Sequence, residues 1–234
     1  MMDRSTSFDE FLESVDRDGA IAETSALADA SVSRRQLFGL AFLGAGAALI
    51  SNVGGAEAAS GVSGSDVNIL NYALVLEYLQ ASFYTEAERG GALTGKTAEA
   101  ARIVGSVERA HVKAFQELLG SKAVKRPLFN FQGTTEQQEP FLKTAVAFED
   151  LAVAAYKGQA PKLKAKPVLA AAVGIHSVEA RHAAWMRGLF GITPAVNAFD
   201  QPASRQSVNR IVASTHFIAE RPKTSGRRKP EFTG

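Results

Sequence analysis

Two short segments, SVERAH at 106–111 and SVEARH at 177–182, agree in four of six positions, and each puts a His three residues after a Glu. A second pair repeats alongside them. LEYLQASFY (76–84) and FEDLAVAAY (148–156) each carry a Tyr seven residues after a Glu, Glu77 to Tyr84 and Glu149 to Tyr156. The Glu–Tyr motif recurs after 72 residues (77 to 149) and the Glu–His motif after 71 (108 to 179). Two different motifs displaced by nearly one interval imply a duplicated unit, and each copy of that unit holds two helix-periodic stretches. The chain is thereby restricted to two similar helical hairpins packed on each other.

Punctuation along the chain gives the same division. Ser65 is placed to cap a first helix that stops at Gly90–Gly91, and a second runs from about Thr97 to Leu119 with Gly120 as its stop. Residues 121–135 carry Pro and Gly without helical period and read as a long connection. A third helix is expected over about Glu136 to Lys157, a turn over 158–166, and a fourth helix opened by Pro167 and ending near Leu189. One more helical stretch follows at 206–219, then a basic tail. Two short connections flanking one long one predict an all-α, four-helix bundle with a single crossover and an additional C-terminal helix. No alternating pattern predicts a sheet. Trp185 reads as core and His216 as structural.

The chemistry follows from residue type and place. Glu and His three apart on a helix share a face, so Glu108 with His111, and Glu179 with His182, each converge on a point. Glu77 lies in ALVLEYL and Glu149 in AVAFEDLAV, apolar surroundings in which a lone carboxylate is costly unless paired, coordinated or protonated. The alternative is a set of surface ion pairs with Arg109, Lys113 and Arg181. There is no cysteine, so disulfides, thiolate metal sites and cysteine nucleophiles are excluded, and any metal site must use His and carboxylate. Four carboxylates balance two divalent ions. The order Glu, Glu-x-x-His, Glu, Glu-x-x-His is the donor set of dinuclear iron and manganese carboxylate bundles. The expected metal residues are therefore Glu77, Glu108, His111, Glu149, Glu179 and His182, holding two iron or manganese ions, with no catalytic residue beyond them. Tyr84, Tyr156, Gln80 and His176 are candidates to hydrogen-bond that set.

The flanks read differently. Residues 1–32 hold eight acidic and two basic residues, a net of −6, whereas from residue 59 onward 22 basic residues face 15 acidic ones, a net of +7. SRRQLFG (33–39) with Arg34 and Arg35, an apolar run over 37–50 and an Ala-x-Ala at 56–58 have the order of a twin-arginine export signal cleaved near Ala58. The apolar run would rise only about 21 Å as a helix, short of a roughly 30 Å hydrocarbon core. The expected organisation is a leader and signal over 1–58, a helical bundle over 59–220 and a basic disordered tail over 221–234. The export machinery is the expected partner, the protein is expected outside the bacterial cytoplasmic membrane (periplasm, cell wall or secreted), and no nucleic acid is expected.

With LEYLQASFY, VERAHVKAF (107–115), FEDLAVAAY and SVEARHAAW (177–185) in view, the sequence resembles the ferritin-like superfamily over about residues 65–190, in the branch that includes desiccation-related proteins. The resemblance implies a left-handed bundle with a dinuclear metal centre built on the six residues named above, with Glu108 or Glu179 as candidates for bridging. Wider relatives store iron, reduce peroxide or oxidise substrates with oxygen. The expected function is redox chemistry on peroxide, oxygen or ferrous iron in stress protection, of peroxidase, catalase or ferroxidase type. The alternatives are a non-enzymatic envelope scaffold or an iron-storage protein, as a homo-oligomer or cage. Where that branch carries a second Glu, this chain has Gln80, a neutral amide beside the ligand set in place of a mobile carboxylate.

Overall fold

The structure, a computed structural model, describes residues 62–219. The expected leader, the signal with Arg34 and Arg35, the cleavage point near Ala58 and the tail over 221–234 lie outside the described residues.

Among the described residues four long helices carry the fold: α1 Gly64–Gly90, α2 Gly95–Leu119, α3 Gln138–Gln159 and α4 Lys166–Leu189. A shorter α5 spans Arg205–Thr215. Each end has a local cause. Ser63, not Ser65, caps α1: its Oγ accepts the Asp66 N–H at 3.2 Å, and Ser65 only meets the Ser63 hydroxyl. At the other end Gly91 turns left-handed (φ 63°), a conformation that stops a helix at little steric cost. Pro140 and Pro167 sit in the first turns of α3 and α4, where a missing N–H leaves no hydrogen bond unmade.

Helix directions follow from side-chain pairs across the bundle. Tyr84 bonds Glu149 and Tyr156 bonds Glu77, so the residue numbers add to 233 in both pairs and α1 runs antiparallel to α3. His111 approaches Glu179 and His182 approaches Glu108; both pairs add to 290, so α2 runs antiparallel to α4. The two hairpins are thus related by an approximate two-fold axis passing between the four glutamates. Buried Asp66 ties the hairpins at one end, accepting the backbone N–H groups of Lys164 and Ala165 at 3.0 and 3.1 Å.

The crossover after α2 is pinned along α1. Asn71 bonds the Lys122 carbonyl and the Val124 N–H, and Tyr78 donates to the Val124 carbonyl. Contrary to expectation, a short antiparallel ladder forms: β1 Leu128–Phe129 pairs with β2 Ile218–Ala219. The expected helix over 206–219 accordingly ends early, because His216 turns left-handed (φ 56°) and delivers Phe217 to the core against Phe131 and Phe148. Trp185 is a second correction. It stands 37% exposed, on the outward stripe of α4 that also presents Val173, Ser177 and Arg181.

Two glycines permit close approach. A Cβ at Gly105 would lie 2.7 Å from the Tyr84 Cβ, so α1 and α2 touch there only without one. A Cβ at Gly158 would lie 2.0 Å from the Ala203 carbonyl oxygen, where the strap before α5 bonds α3 through Ala203 N–H to the Ala154 carbonyl.

Candidate metal centre

The middle of the bundle is a polar layer inside an apolar core. Glu77, Glu108, Glu149 and Glu179 are all at most 1% exposed, and His182 is buried with them. His111 is slightly more open, at 12% of its side chain. Each helix supplies its share because the motif spacing puts Glu and His on the face that also carries Val104 and Phe115 in α2, and Ala172 and Met186 in α4.

Donor atoms fall into two groups, each with all members within 4.8 Å of one another: Glu77, Glu108, His111 and Glu179 in one, and Glu108, Glu149, Glu179 and His182 in the other. Glu108 and Glu179 belong to both. Glu77 with His111, and Glu149 with His182, belong to one each. His111 Nδ1 lies 3.2 Å from Glu77, 3.3 Å from Glu179 and 3.7 Å from Glu108. His182 Nδ1 lies 3.0 Å from Glu108 and 3.6 Å from Glu149.

His111 Nδ1 with Glu77 Oε2 is a hydrogen bond, and the separations across the cluster are also those of donors around one ion. Two donors each about 2.1 Å from one ion, at right angles, stand about 3 Å apart. Both oxygens of Glu108, both of Glu179, one of Glu149 and Nδ1 of His182 are buried without an aligned hydrogen-bond partner, despite their closeness. Buried polar atoms are almost always partnered, so a cluster of unpartnered lone pairs facing one another calls for a cation. Oxygen and imidazole donors without thiolate suit iron, manganese or zinc.

Protons occupy the same positions in the absence of metal. Burial pushes the Glu77 carboxyl up to about 7, against the opposing pull of His111. Burial and the charge of Glu108 hold Glu179 well above the usual carboxylate range. Burial works against protonation of the imidazoles, yet the surrounding carboxylates win: His111 is raised well above its ordinary value and His182 to about 10. Burial would also raise Glu108, but the imidazoles of His111 and His182 close beside it bring it down to about 2. The site concentrates negative charge that protons partly cover.

The tyrosines reach across the bundle. Tyr84 donates to Glu149 Oε1 at 2.5 Å, and Tyr156 donates to Glu77 Oε1. Each phenol therefore serves the glutamate of the opposite hairpin, with burial raising both phenols well above their ordinary value and keeping them as neutral donors. Sequence spacing showed a Tyr two turns from its own Glu; the antiparallel register that supplies the other Glu is a tertiary fact. Gln80 is buried in α1, its Nε2 without a partner. His176 is half-buried with an unpartnered Nε2 and stands outside both groups.

Fold and site together define a helical carboxylate bundle with a buried Glu/His cluster that could bind metal. Residues 65–191 match the family model described as a ferritin-like domain, and the chain belongs to that family. No curated protein aligns significantly with the chain.

Proposed function

We propose that the six residues hold two iron or manganese ions and that the protein is an exported redox metalloprotein acting on peroxide, dioxygen or ferrous iron in stress protection. The observation that carries this reading is the sharing of Glu108 and Glu179 between both donor groups, as two bridging carboxylates require. Bound there, a pair of such ions supplies one-electron changes at each metal, and so a two-electron exchange with a small oxidant.

The protein's own part is electrostatic and positional. Four carboxylates offset the charge of two divalent ions inside an apolar core, so loading leaves no net buried charge. Tyr156 and Tyr84 fix the orientation of Glu77 and Glu149 by donating to Oε1 of each, which leaves Oε2 toward His111 and His182 respectively. The raised imidazoles and carboxyls must release their protons as ions enter, which makes loading proton-coupled. SRRQLFG, the short apolar run and Ala56-Glu57-Ala58 support delivery by the twin-arginine machinery, a route that carries folded proteins with their cofactors in place. The four quoted segments support the desiccation-related branch of the family.

Metal stoichiometry of two variants tests the assignment. Glu108→Ala removes a donor from both groups and is expected to lower iron or manganese content from about two per chain to less than about half an ion. Glu77→Ala removes a donor from one group and is expected to leave about one. Equal losses in the two variants would reject the bridging arrangement. Turnover with hydrogen peroxide, with and without a reductant, and oxidation of ferrous iron by dioxygen then separate the reaction types.

A further inference from the structure

The two hairpins match in their motifs but not in what closes the ends of the site. A cavity of about 20 Å³ lies at the Tyr156 end. Ala73 of α1, one turn before Glu77, and Phe115 of α2, one turn after His111, line it with Tyr156, whose hydroxyl bonds Glu77. The cavity thus lies about 6 Å along the helix axes from the Glu77–His111 half of the cluster. Tyr72 and Gln159 also line it but contribute carbon to its walls, and Arg205 of α5 stacks 4.6 Å over the Tyr72 ring.

The repeat shows what is missing. Moving 72 residues along the chain takes Ile69 to Phe141 and Leu76 to Phe148, while moving 72 back takes Ala155 to Phe83. At the Tyr84 end these three phenylalanines fill the equivalent space: Phe83 stacks on Phe141 and meets Phe148 edge-on, each at 5.1 Å between centroids, and Phe141 lies against Tyr84 at 5.8 Å. At the Tyr156 end Ile69, Leu76 and Ala155 leave that space open. One end of the site is sealed by aromatic packing and its counterpart is not.

We propose that this cavity is the docking pocket through which dioxygen reaches the Glu77–His111 half of the cluster, and that Leu76, Ala73 and Ala155 set its selectivity. The inference rests on the metal reading above for its outcome, though not for its geometry. A space this size takes one molecule of two or three heavy atoms. Its carbon walls offer hydrogen peroxide no partner for two hydroxyls, and a charged ion still less, whereas dioxygen loses no hydrogen bonds on entering. Apolar cavities of this kind take up xenon, which serves as a stand-in for dioxygen independent of any metal.

The test has two arms. In crystals of the metal-free full chain under xenon pressure, one xenon site is expected against Ala73 and Tyr156 and none beside Phe141. In Leu76→Phe, which copies Phe148, that site is expected to vanish. The same variant loaded with ferrous iron is expected to bind the wild-type amount yet react with dioxygen at least tenfold more slowly, two electrons and two protons passing to each dioxygen to release hydrogen peroxide. Its reaction with added hydrogen peroxide is expected to keep the wild-type rate. Ala73→Val gives the same reading with a smaller change if Leu76→Phe does not fold. Absence of xenon from the wild-type cavity, equal xenon beside Phe141, unchanged dioxygen kinetics in a filled variant, or equal slowing of peroxide would each overturn the proposal. If the wild type takes up no iron, the metal reading fails separately and xenon alone decides whether the cavity is a pocket.

Discussion

At the scale of single residues, the buried cluster makes the metal-free protein sensitive to pH in a direction that can be worked out. Glu77, raised by burial from 4.5 to about 7, keeps a proton in the fold that the unfolded chain gives up sooner. Its contribution is complete below about pH 4.5 and is lost as pH rises through about 7. His182, which the carboxylates raise against burial from 6.5 to about 10, contributes fully below about pH 6.5 and is lost through about 10. Glu108, at about 2, contributes above about pH 4.5 and is lost only as pH falls through about 2. Thermal unfolding of the metal-free protein is therefore expected to show a Tm that declines between about pH 6 and 9, with the increment on adding ferrous or manganous ion growing over the same range. A metal-free Tm that rises across that range would contradict the charge arrangement. Tyr156→Phe removes the donor to Glu77 and is expected to cost about 1–3 kcal/mol at pH 8, where the carboxylate is ionised. The loss should be smaller near pH 5, where Glu77 is protonated; denaturant melts at the two pH values check it.

At the scale of elements, helix number and order were legible because glycine, proline and capping residues mark them. The ends were less so, for physical reasons. Ser63 and Ser65 both precede the apolar run, and only the Asp66 N–H, aimed at Ser63, decides between them. QSVNRIVASTHFIA keeps helical period past Thr215, but Phe217 finds more contact in the core than an eleven-residue surface helix could offer by continuing. Trp185 suits a core by type, yet the stripe set by Glu179 and His182 turns it outward. Gly158 carried no signal in the sequence, since the Ala203 carbonyl that needs its bareness comes from 45 residues on (158 to 203). Gly158→Ala is expected to lift the strap and α5 from α3, at about 1–3 kcal/mol for an overpacked contact with backbone. Hydrogen exchange should show faster exchange at Ala203 and over 205–215, with the amides of α1 and α2 unchanged. Uniform acceleration would show instead that α5 is part of the same cooperative unit.

At the scale of the whole molecule, the duplication was the most legible feature and carried most of the site with it. Matched offsets place two Glu and two Glu-x-x-His motifs on four successive helices. The sequence could not supply the antiparallel registers, which give each tyrosine the other hairpin's glutamate and give Glu108 and Glu179 a place in both donor groups. Nor could it weigh the departures from symmetry: Ile69, Leu76 and Ala155 against Phe141, Phe148 and Phe83 read as ordinary apolar exchanges until the space between them is seen. The two-metal reading is most directly open to elemental analysis of the protein purified from its native host without chelator. About two iron or manganese ions per chain are expected, lost together on dialysis at about pH 4 as the carboxylates and imidazoles take up protons. Fewer than about one ion per chain would contradict it and leave the buried glutamates and histidines as a proton-filled structural cluster.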